Sequence, residues 1–275
     1  MTAPPRVLNP RHENRPVMCV EVDGRTLIRK QYRHGSNDVY EVMQALWASP
    51  LGAHRTCPGV PEPVGLDPIL GSVDMAFIDG TPVSTRGTLG MLPDVLDDVA
   101  MLLADLHGSG VVVARRRDPG KVLRLMADRL ALADLDIIDH LSGRAPEQET
   151  LCLNHGDFSP RNVIQTERGP VLIDLDRLQM AGPGRDVNHL GAWCWATIAL
   201  GRDRSGVDAW DLCDAFEAAY LAHRPEAASD VVAGRSFHRA TGLLRIATEW
   251  SAVTSDPTIQ RRVLDEATRV ARLTN

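Results

Sequence analysis

The sequence predicts an α+β chain in which a small β-rich N-terminal part precedes a larger helical part. Three observations carry that expectation. Two apolar, β-branched segments flank an Asp23-Gly24 turn near the start. Apolar residues at helical period dominate from Leu92 onward. Between Leu151 and Asp176, short apolar segments bracket a loop dense in carboxylates and amides.

Residues 17–22 and 26–32 read as two strands, because a D-G dipeptide between apolar runs favours a tight hairpin turn. Residues 38–47 carry Val39, Val42, Met43, Leu46 and Trp47 at helical spacing and read as a short amphipathic helix. A Pro/Gly-punctuated loop over 58–63 is followed by apolar runs at 69–70 and 75–78. The second run stops at Asp79-Gly80-Thr81-Pro82, a turn signal that marks the expected hinge. This gives an N-terminal lobe over 1–78 and a C-terminal lobe over 79–275. In the second lobe, 92–107, 121–141, 187–200, 207–223 and 229–273 read as mostly helical. Arg115-Arg116-Arg117 reads as a solvated helix end or loop.

With 36 acidic against 30 basic residues and a formal charge of −6, the chain offers no electrostatic case for nucleic acid. No apolar run reaches the length of a membrane span, and the first residues lack a signal-peptide core. The five cysteines are scattered and form no C-x-x-C pair, so free thiols in a reducing cytoplasm are expected.

The chemistry concentrates in His155-Gly156-Asp157-Phe158-Ser159-Pro160-Arg161-Asn162 and in Val171-Leu172-Ile173-Asp174-Leu175-Asp176. Phosphoryl transfer from a nucleotide needs one carboxylate to orient the attacking hydroxyl, and an Asn with an Asp to hold Mg²⁺ on the phosphates. Asp157, Asn162 and Asp174 supply that set, with apolar strands delivering the loop and Asp174. A bland alternative is a loop whose Asp and Asn only make turn hydrogen bonds. A second alternative takes Asp174-Leu175-Asp176 as the nucleophile motif of a haloacid-dehalogenase-type phosphatase. That motif usually opens its domain and is followed by a cationic residue such as lysine, whereas here no lysine follows Lys121. The small-molecule kinase reading accounts for both segments together.

Only Lys30 and Lys121 are lysines, so Arg has replaced Lys wherever a generic cation suffices. Lys30, on a predicted strand, is placed to reach the α- and β-phosphates, and Glu41 on the next helix to pair with it. Asp186 is expected either to cap its helix or to brace the catalytic-loop backbone. His155 is expected to support its own loop, and His107 and His189 to be ordinary packed or capping histidines.

These motifs, in this order, resemble the aminoglycoside phosphotransferase family of bacterial small-molecule kinases over most of the chain. His155 to Asn162 is similar to its H-G-D-x-x-x-x-N loop, Ile173-Asp174-Leu175-Asp176 to its magnesium-binding strand end, and Pro183-Gly184-Arg185-Asp186 to its P-x-x-D segment. Leu103-Ala104-Asp105-Leu106-His107 resembles the helix end before the catalytic half. The resemblance implies a bilobal protein-kinase-like fold. Met75-Ala76-Phe77-Ile78-Asp79-Gly80 resembles the hinge, which implies adenine bonding to the Ala76 carbonyl and the Ile78 N–H. ATP or GTP is then the donor, Mg²⁺ the cofactor, and a hydroxyl of a small molecule the acceptor. An antibiotic is the first expectation, and an endogenous alcohol resembling choline, homoserine or a thiosugar the alternative. Asp176, Ser159 and the acids Asp203, Asp208, Asp211 and Asp214 are the candidate acceptor contacts. The chain departs from the family in a glycine-free stretch over 9–14, and in Ser159 where many relatives carry His. A catalytically silent binding module is the reading that the glycine-free stretch would favour.

Overall fold

The computed structural model describes residues 6–8, 16–53, 55–85, 88–130, 136–146, 148–199, 209–251 and 257–273. The glycine-free stretch 9–14 and the acids Asp203 and Asp208 lie outside them. The chain runs through β1 (Arg6–Val7), β2 (Val17–Val22), β3 (Arg25–Gln31), α1 (Ser36–Ala48), β4 (Pro63–Asp67), β5 (Ser72–Ala76), β6 (Thr81–Pro82) and α2 (Leu96–His107). It continues through α3 (Pro119–Leu130), α4 (Asp136–Ser142), β7 (Cys152–Asn154), β8 (Val163–Thr166), β9 (Gly169–Leu172) and β10 (Gln179–Ala181). The last helices are α5 (Gly184–Ala199), α6 (Ala209–His223), α7 (Ala228–Ala233), α8 (Arg235–Ser251) and α9 (Pro257–Ala271). Two compact units result. The first gathers Met1–Thr81, Ser109–Val111 and Val163–Asp176; the second takes Pro82–Gly108, Val112–Asn162 and Arg177–Asn275.

In the first unit an antiparallel sheet runs in the order β1-β2-β3-β5-β4. Asp23 and Gly24 both adopt positive φ (49° and 75°), the turn geometry whose twist matches that of the paired strands. Helix α1 buries Met43 and Leu46 and packs on β4 and β5, where Val73 is also buried. The apolar pair Ile69 and Leu70 is not core: it sits exposed in the turn between β4 and β5. There the Asp67 carboxylate accepts both of their N–H groups at 2.9 Å, so local side-chain-to-backbone bonding fixes a turn in spite of the apolar residues. The β8–β9 hairpin groups with this unit rather than with the rest of the helical part, as the Leu172 N–H donates to the Gly59 carbonyl at 2.8 Å. The partition therefore departs from a single boundary after Ile78, and Asp174 and Asp176 share a unit with Lys30.

The second unit is organised around α5, buried on nearly all sides from Gly184 to Thr197 and packed against α6 and α8. Gly191 allows the close approach of α6: a Cβ there would lie 2.0 Å from Cys213 Sγ and 2.9 Å from its Cβ. Helix α2 starts at Leu96, four residues later than expected; of the expected helix over 121–141, α3 and α4 cover the described residues, and 131–135 lie outside them. Strands β7 and β10 pair antiparallel with Leu153 opposite Met180. All five cysteines are free thiols, and among the described residues no helix is long and apolar enough to cross a membrane.

Replacing Gly191 by Ala forces a clash in a packed helix contact and should destabilise the protein by about 1–3 kcal/mol in urea unfolding. Adding Cys213→Ala should recover part of that loss, since it removes the nearer atom and leaves the 2.9 Å approach.

Candidate active site

The loop from His155 to Asn162 follows β7 and is held from beneath by α5. Gly156 adopts φ 83°, and a Cβ there would lie 2.1 Å from the Arg177 carbonyl oxygen, so glycine alone fits this corner. Asp186, wholly buried in the first turn of α5, accepts the His155 N–H at 2.5 Å and the Gly156 N–H at 3.2 Å. Of its two expected roles it takes the loop-bracing one. Arg185 pairs with Asp186 and donates a second bond to the Gly156 carbonyl, so neighbouring residues hold both faces of that peptide. Burial would raise the Asp186 carboxyl, but Arg185, His107 and His155 outweigh it and hold the group below the usual carboxylate range. His107, at the end of α2, lies 3.7 Å from Asp186 and bonds the Tyr220 hydroxyl at 2.8 Å.

Asp157 is the focus of this half. Its Oδ1 takes Arg245 Nη2 at 2.7 Å and His189 Nε2 at 3.3 Å. Its own N–H donates to His155 Nδ1 at 3.2 Å, the loop support expected of that histidine. Burial would raise the Asp157 carboxyl; the His189 hydrogen bond and the charges of Arg245 and Arg177 outweigh it and hold the group well below the usual range. Burial and Arg245 push His189 down to about 4, so at neutral pH it is an uncharged N–H donor. Asn162 donates Nδ2 to the Asp157 carbonyl at 2.9 Å, which fixes the amide and leaves Oδ1 as its ligand-capable atom. Ser159 is fully buried, so the structure withdraws its hydroxyl from contact with an acceptor.

In the first unit Lys30 Nζ is 2.5 Å from Asp174 and 2.7 Å from Asp176, and the Tyr32 hydroxyl donates to Asp176 at 2.8 Å. Burial would lower the Lys30 ammonium, but the two carboxylates outweigh it and keep it charged. Glu41, exposed on α1, is not brought to Lys30; Asp174 and Asp176 take its place. Asp174 adopts φ 63°, which an aspartate holds only where its surroundings impose it, and its side chain is 43% exposed. Ala76 and Ile78 border a cavity of about 720 Å³ that is also lined by Trp47, Cys57 and Val171, and Lys30 does not line it. The Ala76 N–H is taken by the Glu62 carbonyl at 2.9 Å. Asp214 is paired with Arg239, and Asp211 is exposed on α6, so neither joins Asp157 in an acidic cluster.

The Asn162 amide oxygen in the second unit and the Asp174 carboxylate in the first are each hard donors of the kind Mg²⁺ takes. Among the described residues no group of three or more His, Cys, Asp or Glu is gathered as a metal centre. The sequence reading had no signal for Arg245, which lies 88 residues after Asp157 on an ordinary amphipathic helix. It also took His189 for a packing residue; only the fold turns the imidazole onto Asp157.

The family model described as the phosphotransferase enzyme family matches residues 6–233. No curated protein matches the sequence. Among solved structures, a choline/ethanolamine kinase family protein from Mesorhizobium loti aligns with TM-score 0.67 and 14% identity, over 98% of this chain and 89% of that one. A thermostable mutant of the aminoglycoside phosphotransferase APH(4)-Ia aligns with TM-score 0.66 and 15% identity, over 98% and 94%. The choline kinase LicA of Streptococcus pneumoniae, in complex with AMP, gives TM-score 0.60 and 12% identity, over 98% and 91%. These likenesses establish a shared kinase-like fold.

Asp186→Asn leaves the Arg185 guanidinium buried without its charge partner and should cost about 3–5 kcal/mol in urea unfolding. His189 titrates near 4 when folded and near 6.5 when unfolded, so the unfolded chain binds the proton first. Stability should therefore fall as pH is lowered from about 6.5 to 4. In His189→Gln that fall should be shallower by up to about 3 kcal/mol, read from unfolding curves across the window.

Proposed function

Because the chain belongs to the phosphotransferase enzyme family, we propose that it transfers the γ-phosphate of ATP or GTP to a hydroxyl of a small molecule. The observation that carries the reading is Asp157, a carboxylate kept ionised and braced at the centre of a rigid loop. So weak a base does not strip a free alcohol of its proton. It orients the hydroxyl and takes the proton only as the bond to phosphorus forms. Asn162 and Asp174 are the residues that would hold Mg²⁺, which supplies positive charge to the transferred phosphate. Lys30, now paired with Asp174 and Asp176, exchanges carboxylate for phosphate oxygens. Ala76 and Ile78 are assigned to the adenine edge, and the AMP bound to LicA, which shares this fold, supports a nucleotide.

The acceptor is an antibiotic hydroxyl in a resistance setting, or a metabolite alcohol. Neighbours named as an aminoglycoside phosphotransferase and as choline or ethanolamine kinases support the two classes alike. A silent binding module would not need a carboxylate held by two donors.

The full chain, Mg²⁺ and an ATP/GTP mixture are incubated with pooled antibiotics and metabolic alcohols, and added phosphate is read by mass spectrometry. A phosphorylated product is expected from the wild type, with the rate at least about 10³-fold lower in Asp157→Asn. Absence of both product and nucleotide binding would overturn the reading.

A further inference from the structure

We propose that Arg245 is a positioning residue that, together with His189, commits Asp157 to a single working oxygen, Oδ2. The proposal rests on the kinase reading of the same loop.

A carboxylate has two equivalent oxygens, and a half-turn about its terminal bond exchanges them. Here the equivalence is broken. Both donors that reach the Asp157 carboxylate, Arg245 Nη2 from α8 and His189 Nε2 from α5, bond Oδ1. Among the described residues, Oδ2 is left with no such bond and is the oxygen available to an acceptor hydroxyl. Two donors on one atom also lower its capacity to accept a third hydrogen bond.

Arg245 is suited to this because every edge of its guanidinium is fixed. Nη1 bonds the Gly156 carbonyl, Nη2 bonds Asp157, and Nε bonds Glu249 at 3.0 Å one turn further along α8. Glu249 is in turn approached by Arg177 at 3.9 Å. A single planar group thus ties the backbone of residue 156 to the side chain of residue 157, which a lysine ammonium cannot reproduce. The side chain is only 12% exposed, so solvent does little to loosen the arrangement. Displacement of a reacting group by about 1 Å costs on the order of 10²-fold in rate, which sets the expected effect.

The test compares the full-length wild type with Arg245→Met, Arg245→Lys and Asp157→Asn. MgATP is the donor; the acceptor is the one the screen returns, or water, read as phosphate release, if it returns none. Arg245→Met should lower kcat about 10²-fold and leave KM for ATP within about threefold. Arg245→Lys should recover roughly a tenth of wild-type kcat, having a charge for Asp157 but no second arm for Gly156. Thermal melts confirm that each variant folds; should Arg245→Met not fold, Arg245→Gln takes its place. The role is overturned if Arg245→Met retains kcat within about threefold while Asp157→Asn loses it. It is equally overturned if the Met and Lys variants lose kcat and ATP affinity together with melting temperature, the mark of a merely structural arginine. A wild type without ATP turnover overturns the kinase reading and the role of Arg245 with it.

Discussion

The fully buried carboxylate of Asp186 is the constraint on which the loop from His155 to Asn162 in the second unit depends. A charge at that depth is tolerable only if it is paired and its lone pairs are used. Arg185 supplies the pairing, and the amides of His155 and Gly156 take the lone pairs. The satisfaction is mutual, since a tight turn at Gly156 exposes two N–H groups that need acceptors inside the protein. One ionic contact in the interior therefore fixes the corner from which Asp157, and five residues later Asn162, are set out.

The remaining polar groups line up behind that corner as successive layers. His107 and Tyr220 stand beyond Asp186, while His189 and Arg245 stand around Asp157. They belong to four helices, α2, α6, α5 and α8, so helix packing sets their reach. This is why the closeness permitted by Gly191 between α5 and α6 bears on the loop as well as on stability: α5 is both the centre of the helical core and the platform of the site.

Much of this was legible in the sequence, and for definite reasons. The β2–β3 hairpin follows from a D-G turn between apolar runs, and α1 follows from the spacing of Met43 and Leu46, both local signals. The loop is legible because its residues lie within eight positions. Long-range partners are not. Nothing near Lys30 says that it will meet Asp174 and Asp176 rather than Glu41, because that depends on where the β8–β9 hairpin delivers Asp174, 144 residues further along the chain. Ser159 looked available as a polar residue in a polar loop, yet the loop turns it inward. Ile69 and Leu70 read only as a short apolar run, and two hydrogen bonds from their N–H groups to Asp67 make a turn of them.

If the kinase reading holds, the Lys30 cluster of the first unit acts as an ion exchanger. One ammonium faces two carboxylates, so the resting cluster carries its own counter-ion. On the kinase reading, a divalent cation taken up by Asp174 weakens one of the two attractions that hold Lys30, Asp176 keeping the other, and a phosphate engaging Lys30 draws the ammonium off Asp174. Each arrival eases the other. Cation and nucleotide are then coupled ligands, each raising the affinity for the other by the same factor, as reciprocity between linked sites requires.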